Sequence, residues 1–405
     1  PPMAMNTYSQ KFAALAAGVA LSALAVQAQE ASEAGSAELR QETVIVTSRA
    51  QQLYRVEQTT TGKMPTDPML STQAITVINS ELIEDQGARD AQDLYRNISG
   101  VSVFSYAGVT ARGYRQEENF FDGLRGDPYA GFSVPQLFNV ERVEFLKGPA
   151  GMLYGAGAPG GLFNYVTKTP SEEFAASVSG VVGTEGRKGA SLEVTGALPL
   201  EGTAGRLGIF YEDQHGPRRN AGSETNIYDG GLSFDLGFAD LVLQATRYEQ
   251  KLDGNRLRGV PTDDLGNFIA DRRWNHNEPT DFLDLESNVL QARVTAEPVE
   301  GLAVDFGIRW NDGTEVQNYH EPFGLFDSDG DGVVDSSRRQ YRDQLRQTES
   351  LSLGTNAVWS ADLGPVQNRV LVGGDWFTSD AGFTGVSFAR LPDTAEPAGP
   401  AIWRD

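Results

Sequence analysis

The chain has 405 residues, with 33 basic and 55 acidic side chains and a formal net charge of −22. That acidic surplus excludes nucleic acid as a partner, because phosphates need a basic footprint. It also opposes a resting place on anionic headgroups. There is no cysteine, so neither disulfides nor thiolate metal sites contribute, and the length leaves room for two domains.

The amino terminus reads as an export signal over residues 1–28. Lys11 supplies positive charge, Phe12 to Val26 is apolar, and Val26-Gln27-Ala28 offers small residues for cleavage after Ala28. The apolar run falls short of the roughly 20 residues a membrane helix needs. Residues 29–64 are expected to be flexible, since 29–41 carry Ala, Glu, Ser and Gln without apolar periodicity. Within them, Glu42-Thr43-Val44-Ile45-Val46-Thr47 is a β-branched run. An isolated extended segment of this kind suits strand addition to a partner's sheet edge.

Residues 65–170 read as an α+β unit. Ala74 to Ile78 is a predicted strand, and Asn79 or Ser80 caps a short helix containing Glu81, Leu82 and Ile83. A second helix is expected over Ala91 to Asn97, followed by a strand from Gly100 to Phe104. Glu141-Arg142-Val143-Glu144-Phe145-Leu146-Lys147-Gly148-Pro149 is then a charged strand ending in a tight corner. A glycine-dense reversal through Gly155, Gly157, Gly160 and Gly161 leads to a strand ending at Pro170. Glycine at that density lets backbone pass close to backbone.

Beyond Pro170 the pattern has period two. Leu302, Val304, Phe306, Ile308 and Trp310 alternate with Asp305, Gly307, Arg309 and Asn311. Leu290, Ala292, Val294 and Ala296 alternate with Gln291, Arg293 and Thr295, and Leu351, Leu353, Ala357 and Trp359 with Ser350, Ser352, Gly354 and Asn356. In a membrane barrel the apolar face meets lipid and the polar face lines a wet lumen. Nine strands are expected, starting near 174, 190, 206, 226, 241, 288, 302, 350 and 369. Short links alternate with long ones, the longest over 250–286 and 312–349. Alternating short turns and long loops mark an outer-membrane barrel, with turns periplasmic and loops outside. The fold class is therefore mainly β: an antiparallel transmembrane β-barrel over 171–405 behind an N-terminal α+β domain. About 22 strands are usual for outer-membrane barrels with a filled lumen, and an unpaired barrel edge is not tolerated in lipid, so this part of the barrel is expected to be incomplete and the chain a fragment.

The run from Glu141 to Pro170 resembles the plug domain of TonB-dependent outer-membrane receptors, particularly the ferric-siderophore branch. By that resemblance 65–170 is the plug and 42–47 the TonB box, with Glu42, Thr43, Val44, Ile45 and Val46 meeting periplasmic TonB. The implied partners are TonB with its inner-membrane motor, a ferric siderophore and outer-membrane lipid. The implied activity is energised import without covalent chemistry, so no enzyme and no required cofactor is expected. Ligand recognition in the family uses the plug apex. Here its counterparts are Thr110 to Arg115 and Phe120 to Tyr129. Arg112 and Arg125 would donate charge-assisted hydrogen bonds, and Tyr114, Tyr129 and Phe132 would supply contact area. Gln136 stands where some hydroxamate receptors carry tyrosine, which argues against a ferrichrome-type ligand. Glu141, Arg142 and Glu144 are implied to form a hydrated plug–barrel contact. Rival cargoes are a corrinoid, another metal chelate or a glycan; a passive pore, a calcium-dependent surface adhesin or a fragment without function of its own are the other readings.

One loop carries a separate signal. Asp327, Asp329, Asp331 and Asp335 fall at positions 1, 3, 5 and 9, with Gly332 at 6 and the Val333 carbonyl at 7. That spacing wraps a chain around Ca²⁺, although position 12 is Arg338 rather than glutamate. The three histidines, His215, His276 and His320, are expected in separate loops with no catalytic spacing, and His276 is a candidate ligand contact.

Overall fold

In the computed structural model, residues 54–388 are described, apart from 57, 60, 117–118, 130–132, 156, 255, 264, 328, 335 and 365. The export signal, the Glu42–Thr47 run, Phe132 and Asp335 lie outside the described residues.

Capping chemistry sets the first elements. Asn79 ends strand β1 (Ile75–Asn79), and its side chain accepts from the Leu82 amide at 3.2 Å, starting helix α1 (Ser80–Asp85). Asp90 caps α2 (Ala91–Tyr95) by accepting from the Gln92 amide at 2.9 Å. This helix is shorter than the expected Ala91 to Asn97. Strands β2 (Val101–Val103), β3 (Val109–Ala111) and β4 (Tyr114–Gln116) form one small antiparallel sheet. Strands β5 (Phe120–Phe121), β6 (Val140–Lys147) and β7 (Gly161–Thr167), with helix α3 (Gly151–Tyr154) between the last two, complete a second sheet in the order β1-β6-β7-β5.

The glycines of the reversal hold the two sheets together. A Cβ on Gly160 would sit 2.0 Å from the Ala111 carbonyl oxygen, and one on Gly161 would meet the Phe145 ring at 2.4 Å. Only glycine permits that approach. Phe145, Phe163 and Tyr165 fill the core behind it, all fully buried.

Period-two patterning builds the rest. Nine strands follow: β8 (Ala175–Val182), β9 (Lys188–Ala197), β10 (Thr203–His215), β11 (Gly222–Asp235), β12 (Asp240–Leu252), β13 (Phe282–Val299), β14 (Leu302–Phe326), β15 (Ser336–Leu363) and β16 (Val366–Phe388). They pair antiparallel in chain order as one sheet, with β8 and β16 at its edges. The expected face assignment holds: Leu290, Phe306 and Trp359 are exposed on one face, while Gln291, Arg309, Ser350 and Ser352 are buried on the other. The polar face is not simply wet, however, because Asp122, Gly126, Tyr129, Asn139 and Lys168 meet it. No helix among the described residues is long and apolar enough to cross a membrane.

The strand count matches the sequence reading, but one loop does not. The expected link over 312–349 shrinks to 327–335, because β14 runs on to Phe326 and β15 begins at Ser336. The physical reason is that this stretch is polar on both faces, so it carries no apolar alternation. Its pairing comes from continuous register with its neighbour, from Asp312↔Glu349 to Phe326↔Ser336. His320 accordingly lies in β14 and His215 ends β10, so only His276 sits in a loop.

Candidate ligand-binding site at the loop end

The sheet has a turn end, with links 198–202, 236–239, 300–301 and 364–365, and a loop end, with links 183–187, 216–221, 253–281 and 327–335. The plug hairpin loop between β2 and β3 points the way. Gln92 donates to the Tyr106 carbonyl at 2.5 Å, and Ser105 Oγ accepts from the Gly108 amide at 2.9 Å. A Cβ on Gly108 would strike the Phe104 ring at 2.5 Å, so glycine closes this loop tightly.

Around Tyr106 the wall and the 253–281 loop contribute a cluster. Burial pushes the Tyr106 phenol above its usual range; Arg256 and Arg258 draw it back, and Glu315 and Tyr319 push it further. The Arg256 guanidinium lies 4.0 Å from the Tyr319 ring centroid, a cation–π geometry, and donates to Gln317. Arg258 gives two hydrogen bonds to one Glu321 oxygen, at 2.8 and 2.6 Å. Glu315, Gln317 and Tyr319 continue the inward parity of Gly307, Arg309 and Asn311 along β14. Arg256 and Tyr319 are buried and brace the cluster from behind, so Tyr106 and Arg258, both half-buried, are the members that an oxygen-rich polar ligand can reach for stacking and charge-assisted bonds. The sequence reading missed it, although extending the parity of β14 by four more pairs would have found Glu315 to Tyr319.

The expected ligand residues are not brought together. Arg112 and Gly113, both with positive φ, form the two-residue turn between β3 and β4, and the Arg112 amide donates to the Gly100 carbonyl at 2.6 Å. Tyr114 follows it and is exposed. Arg125 lies at the wall, far down β15. Its amide donates to Ser352 Oγ at 3.3 Å, its guanidinium to the Tyr154 carbonyl at 2.8 Å, and it lies over the Phe120 ring. Tyr129 is buried in a T-shaped contact with Tyr248 of β12, ring centroids 4.9 Å apart. Gln136 bridges to Asp90 and donates to the Val134 carbonyl at 3.2 Å. The Phe120 to Tyr129 string thus anchors the plug to the wall, because its side chains pair with inward wall residues, and the 104–108 loop takes the outward place expected of it.

The charged strand also differs from expectation. Glu144 is fully buried, so it does not face a hydrated plug–wall contact; its carboxylate accepts from Arg142 Nε at 2.9 Å inside the plug. The wall contact is made instead by Asp122, which accepts from Gln291 at 2.8 Å and from the Thr167 hydroxyl at 2.7 Å.

The long loop closes over buried polar groups. His276 is 1 % exposed, and burial together with Arg258 and Arg339 pushes its imidazole down to about 3, so the ring is neutral. It is buried rather than offered to a ligand. Arg339 donates to the His276 carbonyl and pairs with Glu278 at 2.5 Å, clipping the loop to β15.

In the acidic loop, one carboxylate oxygen of each of Asp327, Asp329 and Asp331 lies within 4.8 Å of the others. Asp327 accepts from the Gly330 amide at 2.7 Å and the Gly332 amide at 2.6 Å, and these bonds hold its carboxyl below the usual range. Gly330 and Gly332 both have positive φ, which lets the chain wrap back onto Asp327. Hard oxygen donors converging on one side of a tight loop fit Ca²⁺.

Known proteins resemble the chain in sequence and fold. Residues 67–162 match the family described as TonB-dependent Receptor Plug Domain. The ferripyoverdine receptor of Pseudomonas aeruginosa is 25 % identical over 317 residues, covering 73 % of this chain and 37 % of the relative. The catecholate siderophore receptor Fiu of Escherichia coli is 28 % identical over 275 residues, covering 64 % of this chain and 34 % of the relative. The chain thus spans about a third of the length of these relatives. Among solved structures, the pyoverdine outer membrane receptor FpvA of Pseudomonas aeruginosa superimposes with a TM-score of 0.75 at 21 % identity, covering 90 % of this chain and 55 % of that one. A matched plug domain and a wall of sequentially paired strands around it make the chain similar, in its plug and in its fold, to TonB-dependent receptors.

Proposed function

We propose that the whole protein imports a ferric siderophore across a Gram-negative outer membrane, energised by TonB acting on Glu42–Thr47. The observation that supports this best is the plug seated on the inward face of the wall through polar contacts. Asp122 with Gln291, and Arg309 with the Gly126 carbonyl, are hydrogen bonds that water can replace when the plug shifts. Cargo binds above it, against the half-buried Tyr106 and Arg258. The wall's exposed apolar face meets lipid. The protein acts by binding and release rather than by covalent chemistry. Ca²⁺ held by Asp327, Asp329, Asp331, the Val333 carbonyl and Asp335 braces the loop after β14.

Uptake of labelled iron in cells lacking other iron receptors tests the reading. Uptake of one chelate that is lost on deleting 42–47 supports it. Uptake of a corrinoid or glycan in its place would keep the transporter and change the cargo.

A further inference from the structure

Counting inward from residue 54 among the described residues, the earliest ties are exposed. Tyr54 hydrogen-bonds Asp85 at the surface, and Arg55 pairs with Asp67 at 3.8 Å. Thr59 is 1 % exposed and pairs with Thr66 of the same segment through two backbone hydrogen bonds, at 2.9 and 3.3 Å. Thr61 is 0 % exposed, and its amide, hydroxyl and carbonyl are all engaged by β6 and α3. The amide donates to Glu144 Oε2 at 2.9 Å, and the hydroxyl donates to the same oxygen. The Tyr154 hydroxyl donates to the Thr61 carbonyl at 2.9 Å.

Glu144, equally buried, is held in turn by Arg142 at 2.9 Å and Asn164 at 3.4 Å. It sits on β6, which pairs with β1 on one side and β7 on the other. A pull on the chain before Thr61 therefore reaches the plug's principal sheet through the Glu144 carboxylate, with the Tyr154 hydroxyl of α3 holding the Thr61 carbonyl beside it. The next residues bridge to the wall: Lys63 pairs with Asp375 of β16 at 3.2 Å, and Arg369 donates to the Pro65 carbonyl at 2.9 Å. Lys63, Pro65, Tyr154 and Asp375 also border a cavity of about 690 Å³ between plug and wall, which Asp122, Gln291 and Arg293 line further in.

We propose that Glu144 is the anchor that transmits tension from the N-terminal segment to the plug, and that Thr61 leaving it is the first step that opens the cavity. The purpose of this anchor rests on the import reading above; its mechanics do not. Burial is what makes the bond a threshold. A charge-assisted bond shielded from water resists exchange, whereas the exposed Tyr54 and Arg55 ties yield to solvent and the Thr59–Thr66 pair joins the segment to itself. Once Thr61 detaches, Lys63 and Pro65 follow it away from β16, and the cavity loses its border on that side.

The test is single-molecule pulling on the complete receptor in a bilayer, through a handle before residue 54. Thr61→Val removes the hydroxyl and keeps Glu144 with Arg142 and Asn164, so the plug retains its internal partners. The detachment that follows the exposed Tyr54 and Arg55 ties should come roughly tenfold sooner at a given load, the effect of losing one charge-assisted bond. Thr61→Ser should restore the unmodified value, and Glu81→Gln on exposed α1 should leave it unchanged. The same Thr61→Val protein pulled through a handle in the 327–335 loop should behave as unmodified, which separates a pulling anchor from general weakening. Equal rates of that detachment for Thr61→Val and the unmodified protein would overturn the proposal. Earlier detachment with no iron uptake by the unmodified protein would keep the anchor and reject the import reading.

Discussion

Arg309 of β14 donates from Nε to the Gly126 carbonyl at 3.0 Å while lying 4.8 Å from the Phe121 ring centroid, so a wall arginine is seated inside the plug. It is 3 % exposed and also donates to Gln291 at 2.9 Å. Arg309→Ala would leave the buried carbonyl without its donor and open a space beside Phe121. We expect the plug–wall contact to weaken by roughly 1.5–3 kcal/mol. Hydrogen exchange at the amides of 119–129 checks it: those amides should exchange faster, while β6 and β7 keep their protection.

The loop-end cluster predicts where cargo binds. Tyr106→Ala and Arg258→Ala should each weaken cargo binding by roughly tenfold or more, as expected for a stacking face or a charge-assisted donor. Arg112→Ala should change binding little, because Arg112 belongs to the β3–β4 turn. Equilibrium titration with the transported chelate distinguishes the two groups.

The 253–281 loop should loosen in acid. The His276 imidazole is depressed to about 3 in the folded protein, against an ordinary value near 6.5. Below pH 6.5 the open loop binds a proton that the closed loop refuses. Closure is therefore at full strength above pH 6.5 and weakens by up to about 1.4 kcal/mol per unit as pH falls toward 3. The groups facing the ring are Arg218, Arg258, Arg339 and Asp281, and only Asp281 favours the charged form. Limited proteolysis of this loop should accelerate between pH 7 and pH 5, and His276→Gln should flatten that dependence.

Calcium should protect the 327–335 loop from proteolysis, and Asp327→Asn should abolish the protection. The carboxylate of Asp327 organises the loop by accepting from Gly330 and Gly332. A weak site suited to roughly 10⁻⁴–10⁻³ M ion is expected, since position 12 is arginine. Protease mapping with calcium and with a chelator reads this directly.

Much of the fold was legible because alternation and capping are local. Asn79 starts α1 by its own side chain, and Leu302 to Trp310 fixes which way Arg309 points. The extension of β14 and β15 past the apolar band was not legible, since polar residues on both faces pair through register alone. The site was less legible still. Tyr106 meets Arg256 only because two loops distant in sequence converge at one end of the sheet, and no spacing encodes that. Arg125 and Tyr129 looked like ligand donors because arginine and tyrosine serve plug–wall packing and ligand contact equally well.

The most direct test of the account is iron uptake by the full-length protein in cells lacking other iron receptors, with a panel of labelled siderophores, with and without Glu42–Thr47. The account predicts uptake of one chelate that vanishes with the deletion while its binding at the surface persists. Uptake that continues without Glu42–Thr47, or a correctly placed protein that takes up no iron chelate, would contradict it.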